Sequence, residues 1–255
     1  MKDEIHQEIA ARFKQITPQE AEAIFDALAQ TDAKETIYMI ESPSPDDLYR
    51  GRNEGDALAT TLKLAEINVI YYLAASEDTF QQALDDIVIR INNEEENAMP
   101  FIHISAHGYE DGLELTDGGT LYWEQITKKL EQVSELVGLL NSGVPGIGSL
   151  PRINLSLSSC SAYSNYKRVA GDKIPVQSVL GPNIDVGWCQ SLIGFTTFFY
   201  QAFILRRTFQ NAVVAMNAAA GIIGQQIFEL DHRVDLKSLA TYGIDALLRH
   251  AREKN

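Results

Sequence analysis

From Glu35 onward the chain alternates short apolar runs with longer amphipathic ones, and this alternation narrows the choice of fold more than any other feature. Residues 36–40, 68–73, 100–105, 153–157 and 176–180 are brief and rich in β-branched or aromatic side chains, which predicts strands. Between and after them, residues 56–65, 79–92, 123–140, 191–205, 208–220 and 236–252 carry helical spacing. A small hairpin is expected from 113–115 and 120–122, joined through Asp117-Gly118-Gly119. Strands alternating with helices predict an α/β fold: a central, mostly parallel sheet with helices on both faces. Side chains that carry chemistry then gather at the carboxyl ends of the strands. Ahead of this pattern, residues 4–15 and 18–30 read as two helices, the second begun by Thr17-Pro18-Gln19-Glu20. The expected organisation is an N-terminal helical appendage, residues 1–34, and a main domain, residues 35–255.

A net charge of −14 opposes phosphate binding, so neither nucleic acid nor an anionic membrane surface is an expected partner. The two cysteines, Cys160 and Cys189, are too few for a disulfide scaffold. The charged start Met1-Lys2-Asp3-Glu4 lacks the apolar core of a secretory signal. Together these predict a reducing, cytoplasmic setting. Residues 186–205 contain no charged side chain, a length that could cross a bilayer. Gln190, Ser191, Gly194, Thr196, Thr197 and Gln201 interrupt the stretch, and a helix buried in a globular core is the better reading.

Two strand ends stand out chemically. Phe101-Ile102-His103-Ile104-Ser105-Ala106-His107-Gly108 ends on a histidine followed by glycine. Ile153-Asn154-Leu155-Ser156-Leu157-Ser158-Ser159-Cys160-Ser161-Ala162 ends on a cysteine among small residues. A thiol nucleophile needs a nearby imidazole to take its proton, and His107 suits that work. Acyl transfer also needs donors for a developing oxyanion. Gly108 lets a backbone N–H approach a substrate carbonyl, and the Cys160 N–H is the second candidate. Cys189, beside Trp188, reads as core. His103 lies inside its strand and packs on one face, while His6, His232 and His250 fall in polar helical surroundings.

Other chemistries fail on spacing. No Cys-x-x-Cys pair exists, and the His103/His107 pair at four-residue spacing falls in a predicted strand, which holds the two about 13 Å apart, so no metal site or cofactor is expected. Gly143-Val144-Pro145-Gly146-Ile147-Gly148 lacks a phosphate-binding lysine and precedes a strand, where a dinucleotide loop would follow one. The Gly, Pro and Ser content of residues 141–151 reads as an exposed loop.

Ser105-Ala106-His107-Gly108 and Ser158-Ser159-Cys160-Ser161-Ala162 resemble the two catalytic motifs of caspase-like cysteine peptidases of clan CD. The interval of 53 residues from His107 to Cys160 is similar to the caspase spacing of about 50. The segment 112–118 and the aromatic helix around Phe198, Phe199 and Tyr200 look closest to the bacterial CHAT-type branch. The resemblance covers residues 35–225 and implies a caspase-haemoglobinase-like three-layer sandwich. It implies an endopeptidase in which Cys160 attacks a peptide carbonyl, His107 is acid and base, and the Gly108 and Cys160 N–H groups form the oxyanion hole. Its partners would be a protein or peptide substrate, with control by an activator protein, self-cleavage at residues 141–151 or self-association. Such proteases often serve as effectors in bacterial signalling or defence. Ser158 stands where metacaspase-like relatives often carry aspartate. Arg52 lies about where caspases read an acidic side chain, whereas Asp185 could line a pocket for a basic one, so specificity stays open. A catalytically inactive interaction domain of the same fold is the alternative.

Overall fold

The computed structural model describes residues 36–93, 100–141, 153–171, 174–221 and 226–232. The expected helices at 4–15, 18–30 and 236–252, the loop at 141–151 beyond Asn141, and the proposed boundary at residue 34 lie outside the described residues. In chain order the elements are β1 (Thr36–Ser42), α1 (Pro45–Tyr49), α2 (Glu54–Leu64), β2 (Asn68–Leu73) and α3 (Glu77–Asn93). Next come β3 (Phe101–Gly108), β4 (Gly112–Glu114), β5 (Thr120–Tyr122) and α4 (Trp123–Asn141). They are followed by β6 (Asn154–Ser158), α5 (Ala162–Ala170), β7 (Ser178–Pro182), α6 (Trp188–Phe199), a π-helical turn (Tyr200–Ile204), α7 (Phe209–Ala220) and β8 (Phe228–His232).

The fold is α/β. The sheet runs β2-β1-β3-β6-β7-β8, parallel throughout except for β8, which pairs antiparallel with β7. The strand order reverses between β1 and β3, so a crevice opens at their carboxyl ends. The hairpin β4–β5 pairs with the end of β3, placing Glu114 against His107 and Leu113 against Gly108.

Two cores lie on opposite faces of the sheet. Because side chains alternate along a strand, Tyr38, Ile40, Ile102, Ile104, Leu155 and Leu157 meet the layer of α3, α4 and α5. Ile37, Met39 and Phe101 meet α2, α6 and α7. Phe101 is the centre of the second core. Its ring lies 5.2–5.9 Å from those of Phe198, Phe199, Phe203 and Phe209. The apolar stretch 186–205 is thus a core element, and among the described residues no helix is long and apolar enough to cross a membrane.

Several local expectations need correcting. The stretch 191–205 is not one α-helix, because it turns π-helical from Tyr200. Cys189 is exposed, since it sits in the first turn of α6 on the face away from Phe195 and Phe198. His232 ends an edge strand opposite Ser178, not a helix. His103 is fully buried, as expected, with Nδ1 2.8 Å from Ser156 Oγ and its ring against Phe195 and Phe199. Burial pulls its pKa down to about 3.

Truncating Phe101 to alanine empties the centre of an aromatic cluster. Phe101→Ala is expected to lower unfolding stability by about 3–5 kcal/mol, measured by urea denaturation.

Candidate functional site

The site follows from strand register. Ser105 on β3 pairs with Ser158 on β6, and Glu41 on β1 pairs with Ser105. These three residues form a row across one face of the sheet, the face that also carries Phe101 and His103. Two residues further along the same face stand His107 on β3 and Cys160, just past the end of β6. The two expected catalytic residues therefore emerge from adjacent strands at the same height.

Three observations bind them into one locus. Gly108 packs directly on the Cys160 backbone: a Cβ there would lie 2.6 Å from Cys160 O and 3.0 Å from Cys160 N, and would also strike Ser159 Oγ. The Cys160 thiol donates to Val186 O at 3.6 Å. The His107 ring meets Trp188 edge-on with centroids 5.0 Å apart. One short segment, Val186 to Trp188, thus touches both side chains.

Cys160 occupies a sharp strand–turn–helix junction. Ser161, next in the chain, is left-handed (φ 51°) and starts α5. Its N–H donates to Ile184 O and its hydroxyl to Asp185 Oδ1, each at 3.0 Å. The Ala162 N–H is spent on Ser159 O. The Cys160 N–H has no backbone acceptor outside the ladders among the described residues. On β3, the Tyr109 N–H donates to Gly112 O. Antiparallel alternation then turns the Gly108 N–H away from β4. The two expected oxyanion donors are therefore both unspent on these neighbours.

Asp47 is the candidate site residue that sequence reasoning missed. It lies in α1, buried, and its Oδ2 is 2.6 Å from His107 Nε2. Ser44 Oγ donates to the same oxygen at 2.6 Å, and Arg52 reaches Oδ1 at 2.8 Å. Burial alone would raise the Asp47 pKa, but the bonds from Ser44 and His107 and the charges of His107 and Arg52 outweigh it and hold the carboxyl below its usual range. An ionised Asp47 fixes the proton of a neutral His107 on Nε2 and leaves Nδ1 as the acceptor. A signal was present: Ser44-Pro45-Asp46-Asp47 has the same helix-start form as Thr17-Pro18-Gln19-Glu20. Arg52 is held by Asp46 and Asp47, each at 2.8 Å. Asp185 is held by Ser161.

Below this layer lies a second buried carboxyl. Glu54, at the start of α2, accepts from Ser105 Oγ at 2.6 Å. Its pKa is pushed up to about 7, chiefly by burial; the Ser105 bond opposes the shift, the nearby Glu41 charge adds to it, and Ser158 opposes it. Glu41 caps the same helix, accepting from the Gly55 and Asp56 N–H groups at 2.7 and 3.0 Å and from Tyr71 Oη at 2.7 Å. Among the described residues no cluster of His, Cys, Asp and Glu could hold a metal ion. No protein-family model matches the chain, and no curated protein matches it in sequence.

Two outcomes are expected. Gly108→Ala forces β3 away from Cys160, because its Cβ would meet backbone that cannot move aside. The rate at which a peptide electrophile modifies Cys160 should fall at least tenfold, read by mass spectrometry. For Glu54, a folded pKa above the unfolded 4.5 makes the folded chain bind more protons between pH 4.5 and about 7. Its stabilising contribution is complete below pH 4.5 and lost as pH rises through 7. Urea titrations of wild type and Glu54→Gln should therefore diverge by about 3 kcal/mol across that window, the variant being the more stable above pH 7.

Proposed function

We propose that this chain is a cysteine endopeptidase with a caspase-haemoglobinase-like three-layer fold, working through Cys160, His107 and Asp47. The observation that carries the reading is the 2.6 Å bond between Asp47 and His107, with His107 and Cys160 both abutting Val186–Trp188. A histidine with no chemical part to play would not need an ionised, triply bonded carboxylate behind it. The resemblance of the two strand-end motifs to caspase-like peptidases of the CHAT-type branch supports the same reaction.

The chemistry runs as follows. Cys160 Sγ attacks the scissile carbonyl carbon, and its proton passes to His107 Nδ1. Asp47 stays ionised and compensates the imidazolium. The carbonyl oxygen, now negative, is met by the Gly108 and Cys160 N–H groups. As the C–N bond breaks, His107 returns the proton to the leaving amine. Water then attacks the thioester, giving its proton to His107. The new acid departs, and the proton returns to the thiol. Both cysteines are free, in keeping with a cytoplasmic protein. A role as a regulated effector in bacterial signalling or defence rests on the family resemblance alone.

A mixture of fluorogenic peptides tests the reaction. Wild type should cleave a subset, and Cys160→Ala none. Asp47→Asn should lower kcat by about 10²–10⁴-fold, since the amide no longer enforces the tautomer. Cleavage that survives Cys160→Ala, or a peptide probe that modifies exposed Cys189 and spares Cys160, overturns the reading.

A further inference from the structure

Among the described residues the reaction leaves the buried carboxyl of Glu54 without a task. The Glu54 side chain is 4% exposed, and Oε1 accepts no hydrogen bond among the described residues. The Ser158 hydroxyl also bonds towards the carboxyl, and it is shared with Ser191 at 2.7 Å. Capping of α2 is already supplied by Glu41. A carboxylate short of donors in a dry interior destabilises the chain unless something arrives to complete it.

Its position says what would arrive. Ser105 and Ser158 stand two residues before His107 and Cys160, on the same face of the sheet. That step is about 6.6 Å, two strand residues at ~3.3 Å each, and matches the reach of an extended lysine or arginine side chain. We propose that Glu54 sets the specificity of this site, its carboxylate receiving the basic side chain of the residue whose carbonyl Cys160 attacks.

Charge favours this occupant. Arg52, the cation best placed to read an acidic side chain, is neutralised by Asp46 and Asp47. The chain as a whole carries −14. Beyond Ser191, the stretch from Val186 to Gln190 is half-buried or exposed, and Trp188 within it also edges His107. Ser158 then has a reason to be small and neutral: the acid is supplied from α2, across the sheet face.

The inference rests on the proposed nucleophile, so its test is made independent of turnover. Two peptides, identical except for lysine or norleucine at the cleaved position, are titrated calorimetrically into the full Cys160→Ala chain. At pH 8 the lysine peptide should bind at least tenfold tighter, and the ratio should shrink at pH 6 as the Glu54 carboxylate takes a proton. Ser105, Ser158, Glu41 and, around Glu41, Asp56 and Tyr71 face this carboxyl. Glu54→Gln retains all of them and His107, so loss of both the preference and its pH dependence in that variant assigns them to Glu54. Glu54→Asp should keep a preference but shift it from lysine towards arginine, which decides the matter even if Glu54→Gln folds poorly. Equal affinities in the Cys160→Ala chain, binding of neither peptide, or a lysine preference that persists in Glu54→Gln overturns the proposal. Glu54-dependent binding without Cys160-dependent cleavage would uphold it and overturn the peptidase reading. Cleavage by Cys160 with a neutral preference would do the reverse.

Discussion

The parallel pairing of β3 with β6, in the register that sets Ser105 opposite Ser158, is the constraint on which the rest of this site depends. A slip of one residue would turn every side chain of one strand to the other face. His103 would then lose Ser156, and Leu155 and Leu157 would leave the α3–α5 core. The same register brings His107 and Cys160 out of adjacent strands at one height. Packing therefore supports the juxtaposition, because the apolar alternation that fills the two cores excludes a one-residue slip.

Asp47 and Glu54, two of the buried carboxyls near the strand ends, show how surroundings decide the state of one functional group. Asp47 has Ser44, His107 and Arg52 around it and is held ionised. Glu54 is more deeply buried, with Ser105 and Ser158 and the neighbouring charge of Glu41 around it, and it is held partly protonated near neutrality. Environments that drive two acids in opposite directions allow distinct roles within one crevice. In the proposed reaction Asp47 orients an imidazole that must become positive. Glu54 is placed to meet a cation brought by a substrate. The helix starts at Pro45 and Glu54 deliver both groups, so the connection from β1 to β2 supplies the electrostatics, while β3 and β6 supply the reacting atoms.

Legibility in the sequence followed the strength of the local signal. β2 was readable to its ends, because Asn-Val-Ile-Tyr-Tyr-Leu has high β propensity and sits between turn residues. β3 and α4 were readable for similar reasons of pattern. Five-residue α1 was overlooked because it is too short to show helical periodicity, though its Ser-Pro-Asp-Asp start was legible. Helix α5 hid behind the cysteine motif, and edge strand β8 behind a glycine-rich approach, where propensity is weak. Cys189 was misplaced because hydrophobic neighbours in sequence do not share its face of α6.

By itself the sequence determined the alternation of strands and helices, hence the parallel sheet, and the two strand ends bearing His107-Gly108 and Cys160. Those properties are local: they follow from side-chain type and period over a handful of residues. Only the tertiary structure decided that β6 lies beside β3, that Asp47 stands behind His107 from 60 residues away, that Arg52 is bound to carboxylates of its own chain, and that Glu54 lies beneath the site. Each of these depends on which strands are neighbours and on how deeply a charge is buried. Such facts belong to long-range packing, and no window along the chain contains them.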